Sequence, residues 1–337
     1  MNLLDWRPVS QLKVQETPLS RAKFPVVDAH CHLRRVDDPA KLVDDMDRFN
    51  IRAIVHLDGV YADDGFFREQ AKFADAYPGR FGVLCQVDIE QIDEPDFGSK
   101  MRAHITECVK KGARGIKFHK TMVGLKAKDA SGKYIMPDDP RLAAVWDCAA
   151  ELEVPVLIHI ADPIAFFTPT DKYNERIEEL LEHPSWTYYY TGAPGFEELL
   201  AAQERMLGNN PQTNFVVAHV GSHAEDLADV SRMLDSYPNM YVDTAERIHE
   251  LGRQPYTARD FIIKYADRVV YGTDLVPNEF NTGFNYRFFE TRDEYFPYNR
   301  LEEHNQGRWQ IYGIFLPDDV LKKVYYENAD RLYFKKR

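Results

Sequence analysis

The sequence predicts a (β/α)8 TIM barrel, an α/β fold built as a single domain. Three observations predict it: eight short apolar runs ending in polar or charged residues, a stretch of helical spacing after each, and a repeat that fills most of the 337 residues. The runs are 26–33 (VVDAHCHL), 53–58 (AIVHLD), 81–88 (FGVLCQVD), 114–119 (RGIKFH), 155–160 (PVLIHI), 215–220 (FVVAHV), 240–244 (MYVDT) and 269–274 (VVYGTD). Their interiors are near-continuous Val, Ile, Leu and Phe, as parallel strands covered on both faces require. A doubly wound open sheet shares this alternation and is the alternative.

Residues 1–25 precede the first run and read as an N-terminal arm; 26–337 form the barrel and a C-terminal helical extension. Between the third and fourth runs, Ser99–Lys111 places Met101, Ile105, Cys108 and Val109 on one helical face and stops at Gly112. Pro140–Leu152, Phe196–Leu207, Ala224–Leu234 and Tyr256–Tyr265 carry similar patterning between later runs. Run starts lie 25–33 residues apart, except for 41 after the fourth and 60 after the fifth. The surplus falls in 121–139 and 161–195, which predicts enlarged loops after strands 4 and 5, walling the C-terminal mouth. After Leu275 comes the extension, with Pro317-Asp318-Asp319 as the start of its last helix.

With 42 Lys plus Arg against 54 Asp plus Glu, the net charge is −12. An acidic chain is ill suited to general nucleic-acid or anionic-membrane binding, and the basic groups 110–111 and 335–337 read as solvated surface. A small-molecule partner is expected, with a homo-oligomer left open. Cysteines 31, 85, 108 and 148 form neither a disulfide framework nor a CxxC zinc pair. With no basic–apolar signal segment at Met1–Arg7 and no run of ~18 apolar residues, a cytoplasmic location is expected.

Five of the eleven histidines, His30, His32, His119, His159 and His219, fall at or just before strand ends, and Asp274 closes the eighth run in the same way. Residues i and i+2 of a strand share a face, so His30 and His32 point together into the barrel mouth. Two imidazoles from one strand need a third nitrogen and a carboxylate to make a divalent-metal site, and His159 and Asp274 supply them. His56, near the end of strand 2, has no evident partner and reads as a core residue.

DAHCHL (28–33), GIKFH (115–119), LIHIAD (157–162), VVAHVGS (216–222), VYGTD (270–274) and ENADRL (327–332) together resemble the amidohydrolase superfamily, in its branch of metal-dependent hydrolases and aromatic-acid decarboxylases. The resemblance implies one divalent ion on His30, His32, His159 and Asp274, with His219 off the metal and acting on water or substrate. Zinc suits an imidazole-rich set, with manganese or iron as alternatives. It also implies a second reading, in which Lys117 is carboxylated, bridges two ions, and His219 holds the second. In the one-metal reading Lys117 and His119 orient the substrate.

A divalent ion with an open position lowers the pKa of bound water toward ~7. Asp274 would then orient and deprotonate that water, and His219 would polarise the electrophile, giving hydrolysis of a lactone, ester or amide. The same set suits non-oxidative decarboxylation of an aromatic or unsaturated acid. An anionic substrate wants a cation: Arg247 is best placed, then Arg253 and Arg259. Asp162 and Asp243 are candidates to brace ligands, while Tyr188–Tyr190, Phe166-Phe167 and the 294–298 segment EYFPY read as loop packing. A metal-free hydrolase and a catalytically inactive binding barrel are the remaining readings.

Overall fold

The computed structural model describes residues 9–298 and 306–335; the Met1–Arg7 segment, Lys336 and Arg337 lie outside the described residues. Eight strands form one parallel sheet in sequence order: β1 (Val26–Cys31), β2 (Ile51–Gly59), β3 (Phe81–Cys85), β4 (Gly115–Phe118), β5 (Val156–Ile158), β6 (Phe215–Val217), β7 (Met240–Asp243) and β8 (Val269–Val270). Backbone bonds from Ala29 N to Tyr271 O (3.0 Å) and Asp274 N to His30 O (2.8 Å) join the last strand to the first. The chain is thus a (β/α)8 barrel rather than an open sheet.

The helices form where the apolar spacing places them. Phe97–Lys110 buries Met101, Ile105 and Cys108, and Gly112 follows with φ 108°, the left-handed conformation that a side chain disfavours. The Pro140–Leu152 prediction resolves into a 3-10 turn (Pro140–Leu142) and a helix (Ala143–Glu151). Leu227–Ser236 begins three residues later than expected because Asp226 is its cap, accepting from the Ala228 and Asp229 amides.

Two apolar layers hold the barrel. Val27, Ala29, Val55, Leu57, Leu84, Leu157, Val216 and Val270 fill the inside, while Val26, Cys31, Leu33 and the outer residues of the other strands pack against the helices. The closing segment Asp318–Phe334 inserts Leu332 and Tyr333 into the inner layer. Asn328, from the ENADRL motif, donates to the Ala266 and Val269 carbonyls (both 2.7 Å), fastening this segment to the start of β8.

Every strand except β2 ends earlier than its run. β6 stops at Val217 because His219, Val220, Gly221 and Ser222 all adopt positive φ (56–69°). A left-handed conformation costs a non-glycine residue roughly 1–2 kcal/mol, and Val220, being β-branched, gives no sequence warning of it. β5 stops at Ile158 and β8 at Val270, and Asp274 is also left-handed at φ 63°. Such strain persists where surrounding contacts over-determine it, commonly at functional sites.

Candidate active site

The β1 end explains how one strand aims two histidines inward. Pairing with β2 shifts register between Asp28 and Cys31, so Val27 and Ala29 face inward, then Cys31 and Leu33 face outward, leaving His30 and His32 on the inner side. Asp28, fully buried, secures the irregularity by accepting from His30 N (3.2 Å), Thr273 N (3.1 Å) and the Thr273 hydroxyl (2.5 Å). Gly272 permits the close approach of β8, since a Cβ there would lie 2.9 Å from His30 Cβ.

Burial pushes the Asp28 carboxyl from 3.8 up to about 7. A carboxyl raised in the folded state destabilises it progressively as pH rises from the unfolded value to the folded one. Asp28→Asn should therefore gain stability over the parent as pH rises from about 4 to about 7, by up to ~1.4 kcal/mol per pH unit. Paired thermal melts across that range check this; a difference independent of pH would contradict it.

His30 Nε2 and His32 Nε2 each lie 3.5 Å from Asp274 Oδ1. Their other nitrogens are anchored on buried carboxylates: His30 Nδ1 on Asp243 Oδ2 (2.7 Å) and His32 Nδ1 on Asp58 Oδ1 (2.6 Å). A carboxylate can only accept there, so each Nδ1 carries the proton and each Nε2 presents a lone pair toward Asp274. His159 follows the same pattern with its nitrogens exchanged, Nε2 on Asp162 Oδ1 (3.2 Å) and Nδ1 facing His219 Nε2 (3.0 Å). His219 differs, since its Nδ1 donates to the Ala245 carbonyl (2.8 Å).

Metal-binding histidines characteristically have their outer N–H on a carboxylate or carbonyl, and a tetrahedral zinc set with arms of ~2.1 Å has donor atoms about 3.4 Å apart. His30 and His32 meet both conditions, each with Nδ1 on a carboxylate and Nε2 3.5 Å from Asp274 Oδ1. Burial also holds His30 and His219 well below the usual imidazole range and His159 down to about 4, so all three are neutral at pH 7, as ligation needs. The donor atoms of His30, His219 and Asp274 lie within 4.8 Å of one another, as do those of His32, Asp58 and His119.

The other predicted residues divide. Lys117 is fully buried in the mouth, and its ammonium has no hydrogen-bond partner among the described residues; burial lowers its pKa to about 8. His119 stacks on His32 (5.1 Å between centroids) and lies 3.2 Å from Gln86. Arg247, 6% exposed, donates to the Glu246 carbonyl (2.6 Å). Arg253 instead forms a two-bond pair with Glu175 (2.8 and 3.0 Å) over the Trp309 ring, and Arg259 sits on the helix Pro255–Lys264, away from the mouth motifs. His56 accepts from Leu33 N (3.2 Å) and meets Glu69 (2.9 Å), which ties the β1 loop to β2.

Of the aromatic segments, Tyr188 reaches the site by donating to Asp162 Oδ2 (2.8 Å), which Lys120 also holds at 2.5 Å. These bonds join the enlarged loops after strands 4 and 5. Phe166 and Phe167 pack on Trp186 and Phe196, and Phe296 of EYFPY pairs with Ile311. Asp58, Gln86 and Glu246 were not singled out in the sequence. Asp58 has a usable signal in the sequence, since it ends its run as Asp274 ends its own.

The amidohydrolase family model matches residues 22–335. The chain belongs to the amidohydrolase family. No curated protein matches this amidohydrolase. Among solved structures it is similar to a 2,6-dihydroxybenzoate decarboxylase from Rhizobium (15% identity, TM-score 0.55, covering 92% of this chain and 98% of that one). It is also similar to a 4-oxalomesaconate hydratase from Rhodopseudomonas palustris (12%, 0.52, 91% and 95%) and an amidohydrolase from Burkholderia multivorans (12%, 0.52, 92% and 99%). At these identities the likeness establishes the shared fold. No helix among the described residues is long and apolar enough to cross a membrane.

Proposed function

We propose that this amidohydrolase is a metal-dependent hydrolase of a small carboxylate-bearing or cyclic substrate, a lactone, ester or amide. The observation that carries the reading is the aim of two imidazole Nε2 atoms at one Asp274 oxygen, with each opposite nitrogen held by a buried carboxylate. His30, His32, His159 and Asp274 would hold one divalent ion, zinc by donor chemistry. His219 also has its outer N–H fixed, on the Ala245 carbonyl, so the resemblance to the family is the ground for giving the ion to His159 and the substrate to His219. When bound, the ion supplies Lewis acidity and acidifies water.

The residues of the chain do the rest. Asp274 orients the attacking water and takes its proton. His219, with Nδ1–H on Ala245, presents Nε2 as an acceptor; it takes up the proton that Asp274 removed from the water and delivers it to the leaving group. Lys117 and Arg247 bring positive charge to the mouth of an acidic protein, where they would bind a substrate carboxylate, with His119 beside them. Those two cations equally favour the second reading, decarboxylation of an aromatic or unsaturated acid, with Asp274 or His219 delivering a proton to carbon. To test both, metal-stripped and zinc-reloaded protein is assayed on matched lactone and hydroxybenzoate panels. Lactone turnover that returns with metal is the expected result. Full activity of the stripped protein would overturn metal dependence, and CO₂ release alone would select the decarboxylase.

A further inference from the structure

A cavity of about 150 Å³ lies between the β7 loop and the helix Glu279–Glu290. Thr273 and Leu275, the neighbours of Asp274 in sequence, form one wall, and Glu246, Asn281, Asn285 and Gln306 form much of the rest. Among the described residues the lining contains no lysine or arginine, although Arg247 follows Glu246 directly in sequence.

The lining offers an acceptor that lacks a donor. Glu246 is held in the left-handed region (φ 49°), a conformation costly to a side chain other than glycine. Gln306 Nε2 donates to Glu246 Oε2 (3.1 Å), and Glu246 lines the cavity. Gln306 Oε1 is buried with no hydrogen-bond partner among the described residues. A buried acceptor left unpaired costs about 1–3 kcal/mol, so a ligand that brings a donor recovers that energy. An anion would meet the Glu246 carboxylate. A volume on the order of 150 Å³ holds one six-membered ring.

We propose that this cavity is the subsite for the non-reacting end of the substrate, and that it takes a neutral hydroxyl- or N–H-bearing group the size of one ring, with Glu246 and Gln306 accepting its hydrogen bonds. The inference rests on Asp274 being the reacting centre and adds a specificity pocket to it. Arg247 and Lys117 would read the carboxylate, and the cavity would read the donor.

The test uses two probe pairs of matched size, phenol against fluorobenzene and 3-hydroxybenzoate against 3-fluorobenzoate, titrated by NMR into the zinc-loaded full chain. The hydroxyl member of each pair should bind at least tenfold more tightly, and Glu246→Leu should abolish that preference. Gln306→Leu serves as the second variant, with melting curves confirming folding of both. Equal binding within both pairs by the parent protein, or a preference retained in both variants, would overturn the proposal. A Glu246-dependent phenol preference with no binding of either benzoate supports the subsite while refuting the carboxylate reading of the proposed function.

Discussion

Asp274→Asn should lower kcat by about 10³-fold while leaving the barrel folded. The side chain is the common target of His30 and His32, and removing a positioned general base costs on the order of 10²–10⁴ in rate. The substitution is unusually clean because the backbone at 274 is left-handed, and asparagine tolerates that region as readily as aspartate. Burial raises the Asp274 carboxyl above its ordinary value, so a neutral amide of the same shape relieves desolvation rather than adding to it. The melting temperature of the metal-free variant should stay within about 5 °C of the parent. Retained turnover with bound metal would remove Asp274 from the chemistry.

Asp243→Asn should weaken metal binding by about 10–100-fold, although Asp243 would touch no ion. Its Oδ1 accepts from His219 N (2.8 Å) and Ala245 N (3.2 Å), and its Oδ2 meets His30 Nδ1 (2.7 Å). Asparagine has one carbonyl oxygen, and the two backbone N–H groups claim it. The amide NH2 then faces His30 Nδ1 and requires that nitrogen to accept, which moves the imidazole proton to Nε2 and removes the lone pair aimed at Asp274. Chelator competition on zinc-loaded parent and variant reads this directly. Equal affinities would show that the His30 tautomer does not govern the site.

Much of this arrangement is legible in the sequence because a parallel barrel forces it to be. Strands covered on both faces need continuous apolar runs, so all eight stand out, and polar residues at the same end of several runs mark one face of the barrel. Strand ends are less legible: nothing in VVAHVGS announces four consecutive left-handed residues, and Val220 argues against them. Asp162 and Asp243 are legible as residues that could brace ligands, but which histidine each carboxylate meets is hidden, for a different reason. Asp58 lies 26 residues from His32 and Asp243 213 from His30, so the first pairing exists only once β1 and β2 pair and the second only once the barrel closes. Arg253 shows the converse, since its pairing with Glu175 and Trp309 depends on the fifth loop and the extension, neither of which has periodicity to read. Glu246 and Gln306 line a cavity made by that same extension, outside every motif.

In the proposed one-metal site His159 completes the ligand set and His219 is left to act on the substrate. Zinc titration of metal-stripped parent, His159→Ala and His219→Ala proteins, followed by calorimetry and metal quantification, tests this assignment most directly. One equivalent in the parent, retained in His219→Ala and lost in His159→Ala, is the predicted result. One equivalent retained in His159→Ala and lost in His219→Ala would contradict the account.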